Sequence, residues 1–396
     1  MQNFKLNETE ILSNQDWTFP TNTAYGPGRF KEIGDQCNKF GIRNPLIVTD
    51  NGSTKLPFIN ELKELLLKAN IKSDLFSEIS PNPREDEISV GCKKYKDGNH
   101  DSIIAIGGGS AMDGGKLICL TANNDIPLRD FEFELTPPKI SKDNQFPKII
   151  TIPTTAGTGA ETEITAMVTY LKEGMKFCMW HPDVRPVLAL VDPELTLGLP
   201  SSLTAWTGVD AMVHAIEGYC VPGFHPLCDG SALESLSLIS KSLYLAVEEP
   251  KNLIARGGMH IGSYLGGVAF LKGLGNVHSI SHMVGAEFNT QHGLTNAIIL
   301  PVVLKYNLHD MDEKVKRMSE AMQFKDHSID SFINNIEKML DRLQIPKSLS
   351  EIGVTEDCVD RIAEKAMKDQ AYATNPKKAS YEDMKEMVMQ SIKKAR

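Results

Sequence analysis

The chain has few of the features that mark secreted, membrane-spanning or nucleic-acid-binding proteins. Its 7 cysteines include no Cys-x-x-Cys pair, which argues against a disulfide framework and a closed thiolate metal site, and fits a reducing cytoplasm. No apolar run of about 18 residues is present to span a bilayer, and the polar N-terminus lacks the apolar segment of a signal peptide. The net charge of -9 argues against nucleic acid or an anionic membrane surface as main partner. We expect a cytoplasmic protein that acts on small molecules.

Histidine is scarce, and its placement is uneven. The chain has 10 histidines, and three of them fall between positions 278 and 292. Asp210 and His214 are four residues apart, so on a helix they share one face, and His278 and His282 repeat that spacing. His292 follows after a short break that contains glycine. Imidazoles clustered with a carboxylate predict a divalent metal centre, whereas ordinary core or helix-end histidines remain the alternative interpretation.

The expected ligand set has a chemical consequence. Three neutral imidazoles and one carboxylate leave a divalent ion with residual positive charge, so it acts as a Lewis acid and can hold an alcohol oxygen. Nitrogen and oxygen ligands suit iron, zinc, manganese and cobalt alike, and the sequence does not distinguish these metals. Glu217, three residues after His214, is either a partner of a ligand or an ordinary helix residue.

A glycine-rich turn lies upstream, in the run DSIIAIGGGSAMDGGK at 101–116. An apolar β-branched strand at 102–106 leads into three glycines and a serine, and a helix follows. Strand, glycine turn and helix start form a cradle in which backbone N–H groups bind phosphate. The run is neither a Gly-x-Gly-x-x-Gly fingerprint, because Met112 replaces the third glycine, nor a P-loop. A plain strand-to-helix turn is the alternative.

Two further strand ends could contribute to the same site. The strand in PLIVTDNG ends at Asp50, which could bind a ribose or could cap a turn before Asn-Gly. The usual acidic ribose ligand follows the glycine turn, so a dinucleotide bound here would require a strand order different from the standard Rossmann fold. A second glycine-rich turn, KIITIPTTAGTGAET, places Thr154 and Thr155 where hydroxyls and bare amides could contact phosphate or nicotinamide.

The coarse pattern predicts two domains. Strands are expected near 46–49, 102–106, 148–152 and 187–191, alternating with helices, which indicates a parallel sheet. Helices alone are expected afterwards, at 203–222, 229–247, 252–272, 313–324, 328–344 and 355–370. We therefore predict an NAD(P)-binding α/β domain over 1–199 and a helical metal- and substrate-binding domain over 200–396, since 396 residues are long for one core.

The motifs GGGSAMDGGK, PTTAGTGAE, VDPELT, GVDAMVHAIEGY and HGLTNA together resemble the iron-containing (group III) alcohol dehydrogenases, in order and spacing, from Tyr25 to Asn375. The resemblance implies an α/β dinucleotide-binding domain with a parallel sheet and an all-α C-terminal domain, a dehydroquinate-synthase-like plan. It implies a metal held by Asp210, His214, His278 and His292, and a proton-transfer role for His282. The cofactor residues that it implies are Asp50, Asn82, Gly107, Gly108, Gly109, Ser110, Asp113, Thr154, Thr155, Lys176 and Leu195.

The expected function is a metal-dependent alcohol dehydrogenase or aldehyde reductase that moves a hydride between a small alcohol and NAD(P). We expect Fe²⁺, with Zn²⁺ as the alternative, and a cytoplasmic homo-oligomer such as a dimer. NAD is expected over NADP, because Asp50 would repel a 2′-phosphate.

Three alternative functions differ in what they require. A hydroxyacid–oxoacid transhydrogenase would retain its NAD. A lyase of the dehydroquinate-synthase type would need several Lys and Arg residues, and the region 200–300 has few. A non-catalytic metal-binding scaffold would explain neither glycine-rich turn.

Overall fold

The computed structural model describes Leu12, residues 15–17 and residues 21–396. This part of the chain forms two compact units. The α/β unit contains the described residues up to Thr155 together with Ala160–Gly198. The helical unit contains Ala156–Gly159 and Leu199–Arg396. The predicted assignment of cofactor to the first domain and metal to the second stays a prediction.

The α/β unit is built on a mainly parallel sheet. Its strands are β1 Gln15–Trp17, β2 Thr23–Tyr25, β3 Pro45–Asp50, β4 Asp74–Ile79, β5 Ser102–Gly107, β6 Lys148–Pro153 and β9 Leu188–Val191. They are ordered β1-β2-β9-β6-β5-β3-β4, with only β1 antiparallel to its neighbour in this described sheet. Strands β7 Thr165–Tyr170 and β8 Met175–Trp180 form a separate antiparallel hairpin. The helices are α1 Ile33–Phe40, α2 Pro57–Lys68, α3 Glu85–Asp97 and α4 Gly109–Ala122.

Alternation along the central strands gives the sheet two buried faces. Ile103 and Ala105 of β5 belong to a core that includes residues of α3 and α4. Ile104 and Ile106 belong to a second core that includes residues of α1 and α2. Because successive side chains of a strand point to opposite faces, a continuous apolar run is what a sheet covered on both sides requires.

The strand order determines where a ligand can bind. Strand β3 is followed by β4 on one side, and β5, β6 and β9 are then added on the other side. This is the 2-1-3-4-5 order of doubly wound sheets and not the Rossmann order. The reversal falls between β3 and β5, and ligands of such sheets bind beside the carboxyl ends of the strands at that point. An acidic ribose ligand such as Asp50 can therefore precede the glycine turn in sequence and still lie beside it.

The helical unit contains, among the described residues, α5 Ser201–Cys220, α6 Pro226–Glu248, α7 Leu253–Ala269, α8 Asn276–Phe288, α9 His292–Asn307, α10 Asp312–Ala321, α11 Ile329–Arg342, α12 Val359–Ala366, α13 Gln370–Thr374 and α14 Tyr381–Lys393. Helix α5 is buried along nearly its whole length. Gly266 of α7 permits a close helix contact, since a Cβ there would lie 3.1 Å from the carbonyl oxygen of Ala211. Within residues 21–396, none of the helices combines the length and apolar character needed to cross a membrane.

The predicted fold class is confirmed, with differences in detail. The four predicted strands correspond to β3, β5, β6 and β9, whereas β1, β2, β4 and the β7–β8 hairpin were not predicted. The predicted helix over 355–370 is wrong in its extent. It is divided into a 3-10 turn at Glu356–Cys358, α12 and the start of α13, because Asp369 caps α13 by accepting a hydrogen bond from Ala371 N at 2.8 Å.

Candidate functional site

The four predicted metal ligands lie together in the helical unit. Asp210 and His214 lie on α5, His278 lies in the first turn of α8, and His292 begins α9. One possible ligand atom from each residue lies within 4.8 Å of the other three. Nε2 of His214 and Nε2 of His292 lie 3.8 Å and 3.7 Å from Oδ1 of Asp210. Two ligands of one tetrahedral ion lie about 3.4 Å apart, so the cluster could hold a metal ion.

Two of these imidazoles are oriented through Nδ1. His214 donates from Nδ1 to the carbonyl oxygen of Gly157 at 3.2 Å, and His278 donates from Nδ1 to Oε2 of Glu217 at 2.7 Å. These bonds place the proton on Nδ1 and leave Nε2 of each ring as the atom that could bind a metal. Burial, and then the neighbouring His278 ring, hold the pKa of His214 well below its ordinary value. The ring is therefore neutral, as a metal ligand must be.

Asn296 connects the other ligands. Its Nδ2 donates to Oδ1 of Asp210 at 2.7 Å, and it lies 3.2 Å and 3.1 Å from Nε2 of His278 and His292. Asn296 is fully buried on α9, one turn after His292. One amide group thus reaches three of the four predicted ligands and orients the carboxylate among them.

A close approach of two helices brings His292 to α5. A Cβ on Gly293 would lie 2.5 Å from the carbonyl oxygen of Trp206 and 3.0 Å from Cβ of Asp210. Any larger residue would push the start of α9 away from α5. Gly293, which directly follows His292, is therefore needed to bring that histidine to the ligand cluster.

His282 lies beside the cluster without belonging to it. Its ring centroid is 5.7 Å from that of His278 and 5.5 Å from that of His292, but it is not among the four residues whose ligand atoms converge. It donates from Nδ1 to Oδ2 of Asp369 at 2.9 Å, and both side chains are buried. The bond fixes the ring and leaves Nε2 as the atom that can exchange a proton.

The donor set fits a divalent ion. Three imidazole nitrogens and one carboxylate oxygen come from side chains that are largely buried, and three of the ligands are oriented by further hydrogen bonds. Nitrogen and oxygen donors of this kind suit first-row transition metals, and four protein ligands leave room for a substrate atom on an ion that accepts five.

The predicted cofactor residues gather at the carboxyl edge of the sheet in the α/β unit. Asp50 ends β3, Gly107 ends β5, Asn82 follows β4, Thr154 follows β6, and Leu195 lies in the turn after β9. These five strands are neighbours in the sheet, in the order β4-β3-β5-β6-β9. Parallel neighbours end at the same edge, so residues far apart in sequence share one surface.

The glycine turn between β5 and α4 is closely packed. Gly107 has φ of +147°, and a Cβ there would lie 2.7 Å from Cβ of Ala111 and 2.9 Å from Oδ2 of Asp50. Gly108 is the N-cap of α4 and has no side chain to offer the amides of the first turn, which begins with Gly109 and Ser110. Bare amides at a helix N-terminus favour an anion such as a pyrophosphate.

Asp50 has a structural role in the turn that follows β3. Its Oδ1 accepts a hydrogen bond from Ser53 N at 2.9 Å, and its Oδ2 accepts one from Ser53 Oγ at 2.8 Å. The carboxylate therefore caps the turn after β3, one of the two roles considered for it. It remains partly exposed at the strand end, so a ribose can still reach it.

The β7–β8 hairpin brings two more predicted residues together. Asp113 of α4 accepts a hydrogen bond from Met167 N of β7 at 3.2 Å, and Lys176 lies buried on β8. Ser110 donates from Oγ to the carbonyl oxygen of Pro81 at 2.7 Å, which ties the glycine turn to the segment after β4. The hairpin and the segment after β4 thus pack around the glycine turn.

Thr155 gives the best sign that the cofactor edge accepts a ligand. Its Oγ1 is buried and has no hydrogen-bond partner among the described residues, although its side chain lies about 3.6 Å from the position of a Cβ on Gly108. A buried hydroxyl without a partner costs free energy. A phosphate or nicotinamide group bound at the glycine turn would satisfy it, so the residues fit NAD.

Sequence reasoning missed most of the groups that hold these ligands. Asp369 lies 87 positions from His282, and Gly157 lies 57 positions from His214, so no local spacing connects them. Glu217 was the exception. It lies seven residues after Asp210, on the same face of α5, and that periodicity could have assigned it to the cluster.

Two family models match consecutive parts of the chain. The model "Iron-containing alcohol dehydrogenase" matches residues 20–193, and "Fe-containing alcohol dehydrogenase family, C-terminal" matches residues 204–392. The chain belongs to the iron-containing alcohol dehydrogenase family. The predicted resemblance is confirmed, and the family assigns the chain to the dehydrogenases rather than to the dehydroquinate-synthase-type lyases.

Similar proteins cover nearly the whole chain. Alcohol dehydrogenase 4 of Schizosaccharomyces pombe is 34% identical over 92% of this chain and 86% of its own. The NAD-dependent methanol dehydrogenase of Bacillus methanolicus is 31% identical over 94% of this chain and 98% of its own. Among solved structures, a 1,3-propanediol oxidoreductase matches with a TM-score of 0.89 and 29% identity, covering 96% of this chain and 100% of that one.

The iron-containing family membership establishes the enzyme class. The chain is an oxidoreductase of the alcohol dehydrogenase type, as predicted. Enzymes of this family use NAD(H) and a divalent metal to act on small alcohols or aldehydes, and the Asp210 cluster is a group that could hold the metal.

Proposed function

We propose that this dehydrogenase prefers NAD, that it binds a divalent metal through Asp210, His214, His278 and His292, and that it interconverts a small alcohol and its aldehyde. The observation that supports this most directly is the convergence of four ligand atoms within 4.8 Å in a buried site. A divalent ion held there would supply Lewis-acid chemistry to the alcohol oxygen. NAD would supply the hydride acceptor.

The chain itself provides proton transfer and orientation. His282 can hold a proton at Nε2, since its Nδ1 is committed to Asp369. His278 and His214 present Nε2 because Glu217 and the Gly157 carbonyl occupy their Nδ1 positions. We propose His282 as the residue that carries the substrate proton, in contrast with the four ligands.

The cofactor side of the proposal rests on the sheet edge. The N-terminus of α4, beginning at Gly109, would bind the pyrophosphate, and Thr155 would bind a phosphate or the nicotinamide amide. Asp50 would accept hydrogen bonds from the adenosine ribose and disfavour a 2′-phosphate. Asn82, Asp113, Thr154, Lys176 and Leu195 would form the remaining surroundings.

Metal identity and assembly are further parts of the proposal. We propose iron as the metal, on the basis of the family, although the same ligands suit zinc. We also propose a cytoplasmic homo-oligomer, a dimer in the simplest case. Light scattering of the purified protein tests the assembly, and a monomer at working concentration would refute it.

Reconstitution tests the function directly. The enzyme is stripped of metal, supplied with Fe²⁺ or Zn²⁺, and assayed for NADH consumption with short aldehydes and oxo acids. We expect activity with aldehydes that depends on added metal, in wild type and in an exposed-histidine control, His309→Ala. Activity that survives chelation in wild type would contradict the proposal. Hydride exchange between a hydroxy acid and an oxo acid without release of NADH would instead favour the transhydrogenase.

A further inference from the structure

Glu217 is a buried carboxylate with three hydrogen-bond donors, all from one short segment. Its Oε2 accepts from Gly275 N at 3.0 Å and from His278 Nδ1 at 2.7 Å, and its Oε1 accepts from Val277 N at 2.8 Å. Glu217 itself is 4% exposed. It lies on α5, whereas its three donors belong to the beginning of α8. A single side chain therefore joins the two helices that carry three of the predicted ligands.

Helix α8 lacks the usual cap. Its N-cap residue is Gly275, which has no side chain to accept hydrogen bonds from the free amides of the first turn. Glu217 takes that place from another helix. The close fit requires glycine, because a Cβ on Gly275 would lie 2.8 Å from Oε1 of Glu217 and 2.7 Å from Oδ1 of Asn375. The segment is thus shaped to receive the carboxylate.

The same carboxylate controls the ligand atom of His278. A proton held on Nδ1 leaves the lone pair of Nε2 available, and a carboxylate partner makes the imidazole a stronger base. Asp210, His214 and Glu217 follow each other at spacings of four and three residues, so they share one face of α5. Helix α5 therefore supplies two ligands directly and orients a third through Glu217.

We propose that Glu217 is a positioning residue of the metal centre, which sets the tautomer and direction of His278 and so raises metal affinity. This inference rests on the metal site proposed above. It predicts that loss of the carboxylate weakens metal binding even when the four ligands are intact.

The sharpest variant is Glu217→Gln. A glutamine side chain has one oxygen in place of two, so whichever way it turns, it loses the bond to Val277 N or the bonds to Gly275 N and His278 Nδ1. If its NH₂ group faces His278, it favours the tautomer with the proton on Nε2, and the protonated Nε2 cannot bind the metal. We expect Zn²⁺ affinity, measured by competition with a chromophoric chelator, to fall by about 10–100-fold. The ligand-field absorption of the Co²⁺-loaded protein should change as well.

Asn375→Ala is the matched control. Oδ1 of Asn375 accepts a hydrogen bond from Asn276 N at 2.9 Å, so the variant weakens the same end of α8 but leaves the bond between Glu217 and His278 in place. We expect a lower unfolding midpoint, with wild-type Zn²⁺ affinity and a wild-type Co²⁺ spectrum. Glu217→Asp keeps the charge but is one methylene shorter. It is the second variant if Glu217→Gln does not fold, and it should also lose affinity.

The possible outcomes separate this inference from the metal site itself. If wild type binds Zn²⁺ and His278→Ala does not, but the folded Glu217 variants bind it as tightly as wild type, the role of Glu217 is wrong. The same holds if Asn375→Ala loses as much affinity as Glu217→Gln, because the effect would then be one of helix order alone. If His278→Ala binds Zn²⁺ as tightly as wild type, the proposed ligand set is wrong.

Discussion

The two candidate sites are built in opposite ways. The cofactor edge of the α/β unit consists largely of backbone, with glycines at a strand end and bare amides at the start of α4. The proposed metal centre of the helical unit consists of side chains, and its predicted ligands are held by other side chains or by a carbonyl group. In the first site, backbone atoms would bind the ligand directly, so binding depends on where the backbone lies. In the second site, side chains would bind the metal, and each of them must be oriented by its own hydrogen bond.

This difference predicts how each site should fail. A site made of side chains should lose its function when one group is removed and keep its fold, because the helices pack without it. A site made of backbone should respond to added atoms, since a Cβ placed where the turn has no room for it, as at Gly107, moves the chain that binds the ligand. Substitutions at the two sites test this contrast, and the pH dependence of a buried histidine outside both sites serves as a reference.

Removal of a metal ligand should have the largest effect. His278→Ala leaves α8 able to form but removes Nε2 from a set of four, so metal content and activity should fall by more than the about 10–100-fold that loss of a ligand's hydrogen-bond partner costs. Metal analysis and the aldehyde assay measure both quantities. A His278→Ala protein that keeps full activity after chelation would show that the centre is not a metal site.

Loss of His282 should slow the reaction but leave the metal bound. Its ring lies beside the cluster and is held by Asp369, so His282→Ala should reduce kcat by about 100-fold, as losses of general acid–base groups do. Metal content should remain that of wild type. An empty metal site in this variant would make His282 a ligand, and an unchanged kcat would make it a packing residue.

The glycine turn should not tolerate a methyl group at Gly107 but should tolerate one at Gly108. Gly107→Ala places a Cβ 2.7 Å from Ala111 and forces φ of +147° on an alanine, so it should lower the free energy of unfolding by about 1–3 kcal/mol and weaken NAD binding. Gly108→Ala is the control for stability, since its Cβ would lie 3.6 Å from Thr155. Equal destabilisation by the two variants would contradict the backbone account of this site.

Cofactor choice should depend on one side chain at the otherwise backbone-built edge. Asp50→Gly should reduce the preference for NAD over NADP by about tenfold, the value of a hydrogen bond to a charged group. The ratio of kcat/KM for the two cofactors measures this. Since Asp50 also accepts hydrogen bonds from Ser53, the variant Ser53→Ala separates loss of the turn from loss of the carboxylate. A wild-type enzyme that uses both cofactors equally would leave Asp50 only its role in the turn.

His260 is a buried histidine of the helical unit that belongs to neither site, so it shows what burial does to the pKa of a histidine there. It is fully buried on α7, neither ring nitrogen has a hydrogen-bond partner in the described part of the chain, and burial, with Arg256 nearby, lowers its pKa to about 3. The unfolded chain takes up a proton below about pH 6.5 and the folded chain does not, so stability falls as pH falls through this range. One pH unit below 6.5 should cost about 1.4 kcal/mol. Near neutral pH, this is the smallest of the effects predicted here.

The pH dependence of unfolding tests this reference residue. We expect the unfolding free energy of wild type to fall relative to that of His260→Leu from pH 7 to pH 5, because only wild type loses stability through this group. A difference that stays constant across that range would mean that His260 is protonated in the folded protein. Burial alone would then not keep a histidine of this unit neutral.

The features predictable from the sequence were those with local spacing. Asp210 and His214 lie on one helical face, and the strand, glycine turn and helix around Gly107 are consecutive, so periodicity and turn chemistry sufficed. Strand β4 was missed because only some of its positions are buried, and β1 and β2 because each has three residues. The four-way ligand set itself came from the family resemblance.

Most partners of the predicted ligands, and every pairing between them, were beyond sequence reasoning for a physical reason. The bond between His278 and Glu217 spans 61 positions, and the bond between His282 and Asp369 spans 87. Such pairs are brought together by helix packing, and helix packing depends on the whole core rather than on any one segment. The sequence therefore predicts residues to carry the chemistry, whereas among those that hold them in position only Glu217 was considered, as one of two alternatives.

The segment Ala156–Gly159 has a consequence for biosynthesis. These four residues belong to the helical unit although they are made in the middle of the α/β unit, and Gly157 supplies the carbonyl that orients His214. A ribosome completes them before any of α5 exists, so they must wait for partners that are translated later. A chain cut at the boundary near Gly198 would deprive His214 of that acceptor. Expressed as separate halves, the enzyme should yield a helical fragment in which the proposed ligand His214 lacks its hydrogen-bond acceptor, however well the helices fold.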